Sequence, residues 1–360
     1  MNEAAVSVAM ATYNGERFLQ EQLDSLAQQT LLPFELVVCD DGSADGTVEI
    51  LRRFATTAPF PVRIYQNETR LSPGFNFLSA LRRCSGDLVA FCDQDDVWKE
   101  SKLRVCAEVM RDPGVALVSH SAAVFSSQPL AHHRRYPDHS ASVWRDCGDF
   151  AAHRWELLGF STVLRRAVLN SAHLPRYSAD LSPWCAHDVW ATAAALSCGQ
   201  VVLLPEELSL HRLHQNNATL RPHPTGLTRV PPDPSALERG AQNFAGLARF
   251  LRYAASFCDE PARRTFYDYV GEVERSASLC GKRAQLHRAC GGRRLTAIRT
   301  LAGMLAKGNY APRSLGVKAF VRDAFLVAFW SAHGLVVTDA AFASQGIATP
   351  NKSTATQKQD

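Results

Sequence analysis

Apolar positions along the first 120 residues follow two periods in turn. Short runs, "VSVAMAT" (6–12), "FELVVCD" (34–40), "VRIYQN" (62–67), "DLVAFCD" (87–93) and "VALVSH" (115–120), read as buried strands. Between them, segments 16–29, 45–56, 74–84 and 99–111 carry apolar residues at helical spacing, as Phe18, Leu19, Leu23 and Leu26 do in the first. Strand followed by helix, repeated four times, predicts an α/β fold with a doubly wound, mostly parallel sheet. From 121 to 186 the alternation gives way to loops rich in His, Arg, Trp and Pro around a strand-like "GFSTVLRRAVL", which predicts an insertion over the sheet edge. A helix at 187–199 ended by Gly199 and a strand over "QVVLLPEELSLHRLH" follow. Five prolines in "RPHPTGLTRVPPDP" (221–234) break regular structure and set a boundary. The expected layout is a catalytic domain over 1–220, a proline-rich linker over 221–235, a basic helical region over 236–345 and a disordered polar tail over 346–360. Within the domain, 1–120 is the donor half and 121–220 the acceptor half.

Composition narrows the class. With 46% hydrophobic residues in 360, the chain can build a real core, and no run of about 18 apolar residues marks a membrane span. The N-terminus lacks a basic region followed by an apolar stretch, so a cytoplasmic location is expected. Ten cysteines without a C-x-x-C pair read as reduced, buried thiols, neither a disulfide frame nor a zinc site. Charge is uneven: residues 1–235 hold 21 Lys+Arg against 26 Asp+Glu, and residues 236–360 hold 18 against 9. The apolar stretch 324–337 is too short to span a bilayer, but the basic amphipathic half is compatible with peripheral association at the inner face of a membrane. No nucleic-acid recognition motif accompanies the arginines, so no nucleic-acid partner is expected.

The chemistry gathers where the strands end. "LVAFCDQDDVW" delivers Asp93, Asp95 and Asp96 together, and like charges so close cost stability unless a cation sits among them. One of them, Asp96 or Asp95, has a bland reading as the cap of the helix from 99; the other two call for Mg²⁺ or Mn²⁺ shared with a diphosphate. "CDDGSADGT" fails as a calcium loop because Arg52 stands at the twelfth position. Asp45 caps the next helix and Gly42 serves the turn, which leaves Asp40 and Asp41 free to accept the imide N–H of uracil or thymine. Thr12 and Tyr13 end the neighbouring strand, offering a hydroxyl and an aromatic face. In sheets of this kind ligands bind beyond the carboxyl ends of the strands, where all three clusters fall.

These stretches, with "NFLSALRRCSGDLVAFCDQDDVW", "HDVW" and "LSLHRLHQNNAT", resemble the family 2 glycosyltransferases, inverting enzymes with a GT-A fold, and most of all the bacterial branch that includes rhamnosyltransferases. The resemblance covers about residues 4–220. It implies that Thr12, Tyr13 and Asn14 lie at the nucleoside, that Asp41 binds the pyrimidine imide, and that Asp93 and Asp95 are the Asp-x-Asp pair, with Asp95 the direct metal ligand. It implies that Asp188 is the catalytic base, that His214 contacts the metal and that Arg212 contacts the diphosphate. His211 stands where the family often has Tyr, and "ETRLSPGFN" carries an extra proline. The expected reaction moves a sugar from a UDP- or dTDP-sugar, dTDP-rhamnose among them, to a saccharide or lipid-linked acceptor in cell-surface glycan synthesis.

Bland readings stand beside several of these residues. A helix cap through the Trp190 or Ala191 amide would account for Asp188. His187 reads as a neighbour of Asp188, Trp184 and Trp190 as core or sugar-stacking residues, and His132 and His133 as surface. Two rivals to the enzyme reading are a non-catalytic scaffold that keeps the fold, and a sugar nucleotidyltransferase, which would want a glycine-rich phosphate loop after the first strand where "ATYNGERF" has one glycine.

Overall fold

The computed structural model describes residues 4–126, 135–146, 157–214 and 234–290, with Leu301, Ala302 and Met304. Strands β1 (Val6–Thr12), β2 (Glu35–Asp40), β3 (Val62–Gln66) and β4 (Leu88–Cys92) alternate with helices α1 (Glu16–Ala27), α2 (Thr47–Ala55) and α3 (Pro73–Arg83), close to the predicted ranges. After them come β5 (Val97–Trp98), α4 (Lys102–Val109), β6 (Val115–Ser126), β7 (Ser142–Trp144), β8 (Thr162–Arg165), α5 (His187–Leu196) and β9 (Gln200–Leu213). Two long helices, α6 (Pro234–Ala255) and α7 (Glu260–Cys290), close the described chain.

One sheet runs in the order β3-β2-β1-β4-β8-β6-β9-β5, with β7 on β9. The first four strands are parallel, β8 is antiparallel to both of its neighbours, and β6 and β9 are parallel. The chain steps outward from β1 to β3, then returns to place β4 on the other side of β1. That reversal between β1 and β4 opens a crevice at their carboxyl ends, beside Thr12 and Asp93.

Because side chains alternate across a strand, each buried strand feeds two cores. Val8, Met10, Leu36, Val38 and Ala90 face one side with Leu19, Leu23, Leu26, Leu51 and Leu103. Ala9, Val37, Cys39, Val89 and Phe91 face the other with Phe75, Phe77, Leu78 and Trp190. Strand β8 corrects the expectation of an edge insertion. Val163 and Leu164 are both fully buried, one in each core, so this stretch completes the middle of the sheet. The two-residue β5 and three-residue β7 carry too few positions for periodicity to reveal.

Helices α6 and α7 share the second core. Phe250, Leu251, Ala254, Phe266, Tyr269 and Val270 pack with Trp190, Phe75 and Leu164, and the Phe75 and Phe250 rings meet edge to face at 6.0 Å. The Asp259 amide donates to the Ser171 carbonyl at 2.9 Å, tying the hairpin to the domain. Several arginines of this basic region are paired on the surface, Arg252 with Glu274, Arg275 with Glu272 and Arg288 with Glu238, contacts worth little to stability individually. No helix of the described residues is long and apolar enough to cross a membrane. His132, His133, Arg134, residues 215–220, the linker up to 233, the stretch 324–337 and the tail lie outside the described residues.

Truncating the fully buried Phe250 to alanine should lower stability by about 3–5 kcal/mol in urea unfolding. A single shared transition is expected; two separated transitions would show that the hairpin folds by itself.

Candidate functional site

The loops after β1, β2 and β4 meet at the crevice. Asn14, with φ of 48°, turns the chain after Tyr13; its amide donates to the Ser43 hydroxyl at 2.9 Å and its Oδ1 accepts from the Ala44 amide. Asn14 thus ties the first loop to the second. Gly42, with φ of 82°, makes the expected turn, and Asp45 accepts from the Thr47 amide at 3.1 Å. The Thr12 side chain is buried and donates to Asp40 at 2.8 Å, so its hydroxyl is turned into the protein instead of towards the crevice. Asp40 also accepts from the Gly42 and Ser43 amides and the Ser43 hydroxyl, which makes it the knot of the second loop.

Asp41 is buried beside it. Its carboxylate accepts from Leu71 N at 2.7 Å, Ser72 N at 3.1 Å and Asn67 Nδ2 at 3.2 Å, drawing the 67–72 loop against the crevice. From that loop Arg70 places its guanidinium 3.8 Å from the Tyr13 ring centroid, a cation–π contact over a ring that is 37% exposed.

Sequence reading overlooked Gln94. Its Oε1 accepts from Tyr13 N at 2.9 Å and its Nε2 donates to Tyr13 O at 3.1 Å, clamping both backbone groups across the switch point. Gly15 makes room for it, since a Cβ there would fall 2.3 Å from Gln94 Oε1. The residue sits inside "DQDD", where its charged neighbours take the eye.

The three aspartates of that motif offer ligand atoms within 4.8 Å of one another. Burial raises the Asp93 carboxyl well above the ordinary range and also raises that of Asp95; Asp95 and Asp96 push Asp93 further, and Asp96 pushes Asp95. His214 Nε2 stands 2.9 Å from Asp95 Oδ2 and opposes that shift. Asp96 does not cap a helix, contrary to expectation: α4 begins at Lys102, and Asp96 turns inward. Its Oδ1 accepts from His211 Nδ1 and the Arg212 amide, each at 2.9 Å, while its Oδ2 is buried with no partner. Burial pulls the His211 imidazole down, yet the Asp96 carboxylate wins and holds it above the ordinary range. The ring lies flat on Phe160 at 4.6 Å.

Hard carboxylate oxygens at this spacing, one of them buried without a partner, suit Mg²⁺ or Mn²⁺. Asp95 and Asp93, with His214 adjoining, are the residues that would hold such an ion. Arg212 donates from Nε to the Asp95 carbonyl at 2.9 Å, reaches the Glu21 carboxylate at 2.5 Å, and lies between the Phe18 and Phe125 rings at 4.5 and 4.4 Å. Beneath the cluster Lys102 is wholly buried. It donates to the Phe160 carbonyl at 2.6 Å and sits 3.5 Å from the Trp98 ring centroid. Burial pushes its ammonium down to about 8, against the pull of Cys106, Cys92, Asp96 and Asp93.

Across the crevice Asp188 opens α5. Among the described residues its Oδ1 accepts the adjacent Val189 amide, while Trp190 N bonds Ala186 O, so the cap through Trp190 or Ala191 is not made. Its charge adds to the like charges that bear on Asp93. His187 stacks on Phe77 at 4.0 Å in the core, and burial lowers its pKa, so it is a neutral packing residue. Trp190 is core as well, and Trp184 packs on α6.

Residues 7–168, which span β1 to β8, match the Glycosyl transferase family 2 model. An uncharacterized glycosyltransferase of Nostoc sp. is 28% identical over 224 residues, 59% of this chain and 66% of its own length; the chain therefore spans just under two thirds of that relative. The Escherichia coli UDP-Glc:alpha-D-GlcNAc-diphosphoundecaprenol beta-1,3-glucosyltransferase WfgD is 25% identical over 60% of this chain and 80% of its own. The dTDP-rhamnosyl transferase RfbG of Shigella flexneri is 30% identical over 34% and 42%. Among solved structures, S. aureus TarS 1–349 in complex with UDP-GlcNAc has a TM-score of 0.51 at 19% identity over 91% of this chain and 90% of its own. Mannosyltransferase PcManGT from Pyrobaculum calidifontis, in complex with GDP-Man and Mn2+, also has a TM-score of 0.51 at 19% identity, over 93% and 88%. The sheet is of the GT-A type, with a helical C-terminal part, as expected.

Two measurements probe these electrostatics. Asp93 and Asp95 bind protons more tightly folded than unfolded, so without cation their contribution to stability falls as pH rises through the raised pKa values. Mn²⁺ competes with those protons, and its increase of Tm should be larger at pH 7.5 than at pH 5.5 and absent in Asp95→Ala. Lys102 shows the opposite sign. The unfolded chain keeps this proton up to about 10.4, so stability rises with pH above about 8. Between pH 7.5 and 9.5 the wild type should gain about 2 kcal/mol over Lys102→Met in urea unfolding; parallel curves would mean that Lys102 keeps its proton throughout.

Proposed function

We propose that the chain is an inverting, metal-dependent glycosyltransferase that moves a hexosyl or deoxyhexosyl group from a UDP- or dTDP-sugar to a saccharide or lipid-linked acceptor in cell-surface polysaccharide synthesis. The observation that supports this reading is the Asp93–Asp95–Asp96 cluster at the carboxyl end of β4, with Asp188 near enough for its charge to bear on Asp93. The cluster would take a cation and diphosphate, and Asp188, unused as a helix cap, would serve as the separate base. The names of WfgD and RfbG favour UDP- and dTDP-sugars as donors.

An inverting transfer is a single displacement. The acceptor hydroxyl attacks the anomeric carbon while the nucleoside diphosphate leaves from the opposite face, and inversion follows from that geometry. Asp188 takes the hydroxyl proton, a contribution of about 10²- to 10⁴-fold. The developing charge on the diphosphate is the larger obstacle. A bound Mg²⁺ or Mn²⁺ would stabilise it, worth several kcal/mol. Arg212 is placed to add its own charge once it exchanges Glu21 for phosphate oxygens. Tyr13 offers a face to the base and Asp41 an acceptor to its imide, with Asn14 and Thr12 holding these two loops in register.

A thermal-shift panel of UDP, dTDP, GDP, CDP and ADP, each with and without Mn²⁺ or Mg²⁺, tests the donor class. Stabilisation by UDP or dTDP that needs the metal, survives in Asp188→Asn and vanishes in Asp95→Ala is expected. Indifference to every nucleotide, or metal-independent binding of a purine, would sink the proposal.

A further inference from the structure

The nucleotide side and the Asp188 side of the crevice come from loops more than a hundred residues apart in sequence, and two serines join them. Ser72 Oγ donates to the Ser182 carbonyl at 2.9 Å, and Ser182 Oγ donates back to the Leu71 carbonyl at 2.6 Å. The amides of the same Leu71 and Ser72 donate to Asp41, at 2.7 and 3.1 Å. Beyond Ser182 the chain makes one short turn through Trp184 and enters α5, where Asp188 stands. A second contact runs parallel to the serines, from the Tyr177 hydroxyl to the Arg70 carbonyl at 3.4 Å.

Three features show that this junction is built. Ser72 has φ of 79° and ψ of 159°, a region that belongs to glycine, and a serine stays there only where its surroundings over-determine it. Gly74 lets the first turn of α3 touch the chain at Cys185, just before α5, since a Cβ would fall 2.0 Å from the Cys185 carbonyl oxygen. Gly246 does the same from α6, with a Cβ position 2.1 Å from the Trp184 ring. The segment leading to Asp188 is therefore wedged between α3 and α6 and pinned to the loop that Asp41 holds.

We propose that Ser72 and Ser182 are positioning residues, a clasp through which occupation of the Asp41 side sets the position of Asp188. The inference rests on the roles of Asp41 and Asp188 in the proposed transfer. A base within reach of Asp41's ligand is held in place by the donor loop itself, so the two halves of the site tighten together.

Hydrogen exchange on the full chain tests it. Without ligand, Ser182→Ala should speed exchange at Leu71 and Ser72 and at Trp184 to Asp188 together, and nowhere else; faster exchange on one side alone overturns the clasp. With UDP and Mn²⁺, wild type should gain protection over 184–190, and Ser182→Ala and Ser72→Ala should lose at least about fivefold of that gain while binding UDP within about threefold. Ser182→Thr keeps the hydroxyl and should restore the gain, an effect that a merely structural role would not produce. Wild-type protection of 184–190 in both alanine variants overturns the proposal. Failure of UDP to bind the wild type counts against the donor reading, and the ligand-free comparison still decides the clasp.

Discussion

Mutual repulsion among three carboxylates at the end of β4 is the constraint around which this molecule is organised. Asp93, Asp95 and Asp96 bring their carboxylate oxygens within 4.8 Å of one another, and the surroundings answer each in a different way. Asp96 is turned inward and matched by His211 and the Arg212 amide. Asp95 meets His214, and its carbonyl holds the Arg212 side chain. Burial, with the charges of Asp95 and Asp96 added to it, holds the Asp93 carboxyl well above the ordinary carboxylate range. The buried Lys102 lies beneath them all and supplies a field of the opposite sign.

The fold serves that site by geometry. Parallel strands with helices on both faces put every loop that carries chemistry at one end of the sheet, and the reversal between β1 and β4 holds a crevice open there. The loops are then locked to one another through side chains: Asn14 with Ser43 and Ala44, Gln94 with the Tyr13 backbone, Asp41 with Leu71 and Ser72. Each lock uses a polar side chain that is satisfied by backbone, which holds the loops after β1, β2 and β4 together without filling the crevice with apolar residues. On the other side, α6 and α7 extend the second core over Trp190 and Trp184, so the C-terminal helices act on the site through packing.

Much of this was legible in the chain. The short continuous apolar runs of β1, β2 and β4 and the helical spacing of α1 to α3 are local signals, and they located these elements within a residue or two. The acidic clusters were legible because a charge at the end of an apolar run has few bland explanations. Strand β8 was misplaced, since four residues flanked by single turns of 3-10 helix carry no sign of which neighbours they pair with. Gln94, Lys102 and the Ser72–Ser182 pair were missed for the same reason: their meaning lies in partners remote in sequence, and a lysine in an amphipathic helix reads as solvated until its burial is seen.

By itself, then, the sequence determined the alternation of strands and helices, the two-core construction of the sheet and the placing of Asp41, Asp93, Asp95 and Asp188 at strand or helix ends, because periodicity and chain reversal are properties of neighbouring residues. Only the tertiary structure decided which carboxylate turns inward, that a lysine lies buried beneath them, and that two serines join the halves of the crevice. Those outcomes depend on desolvation and on hydrogen bonds between distant segments, and both come into being only when the sheet has brought the segments together.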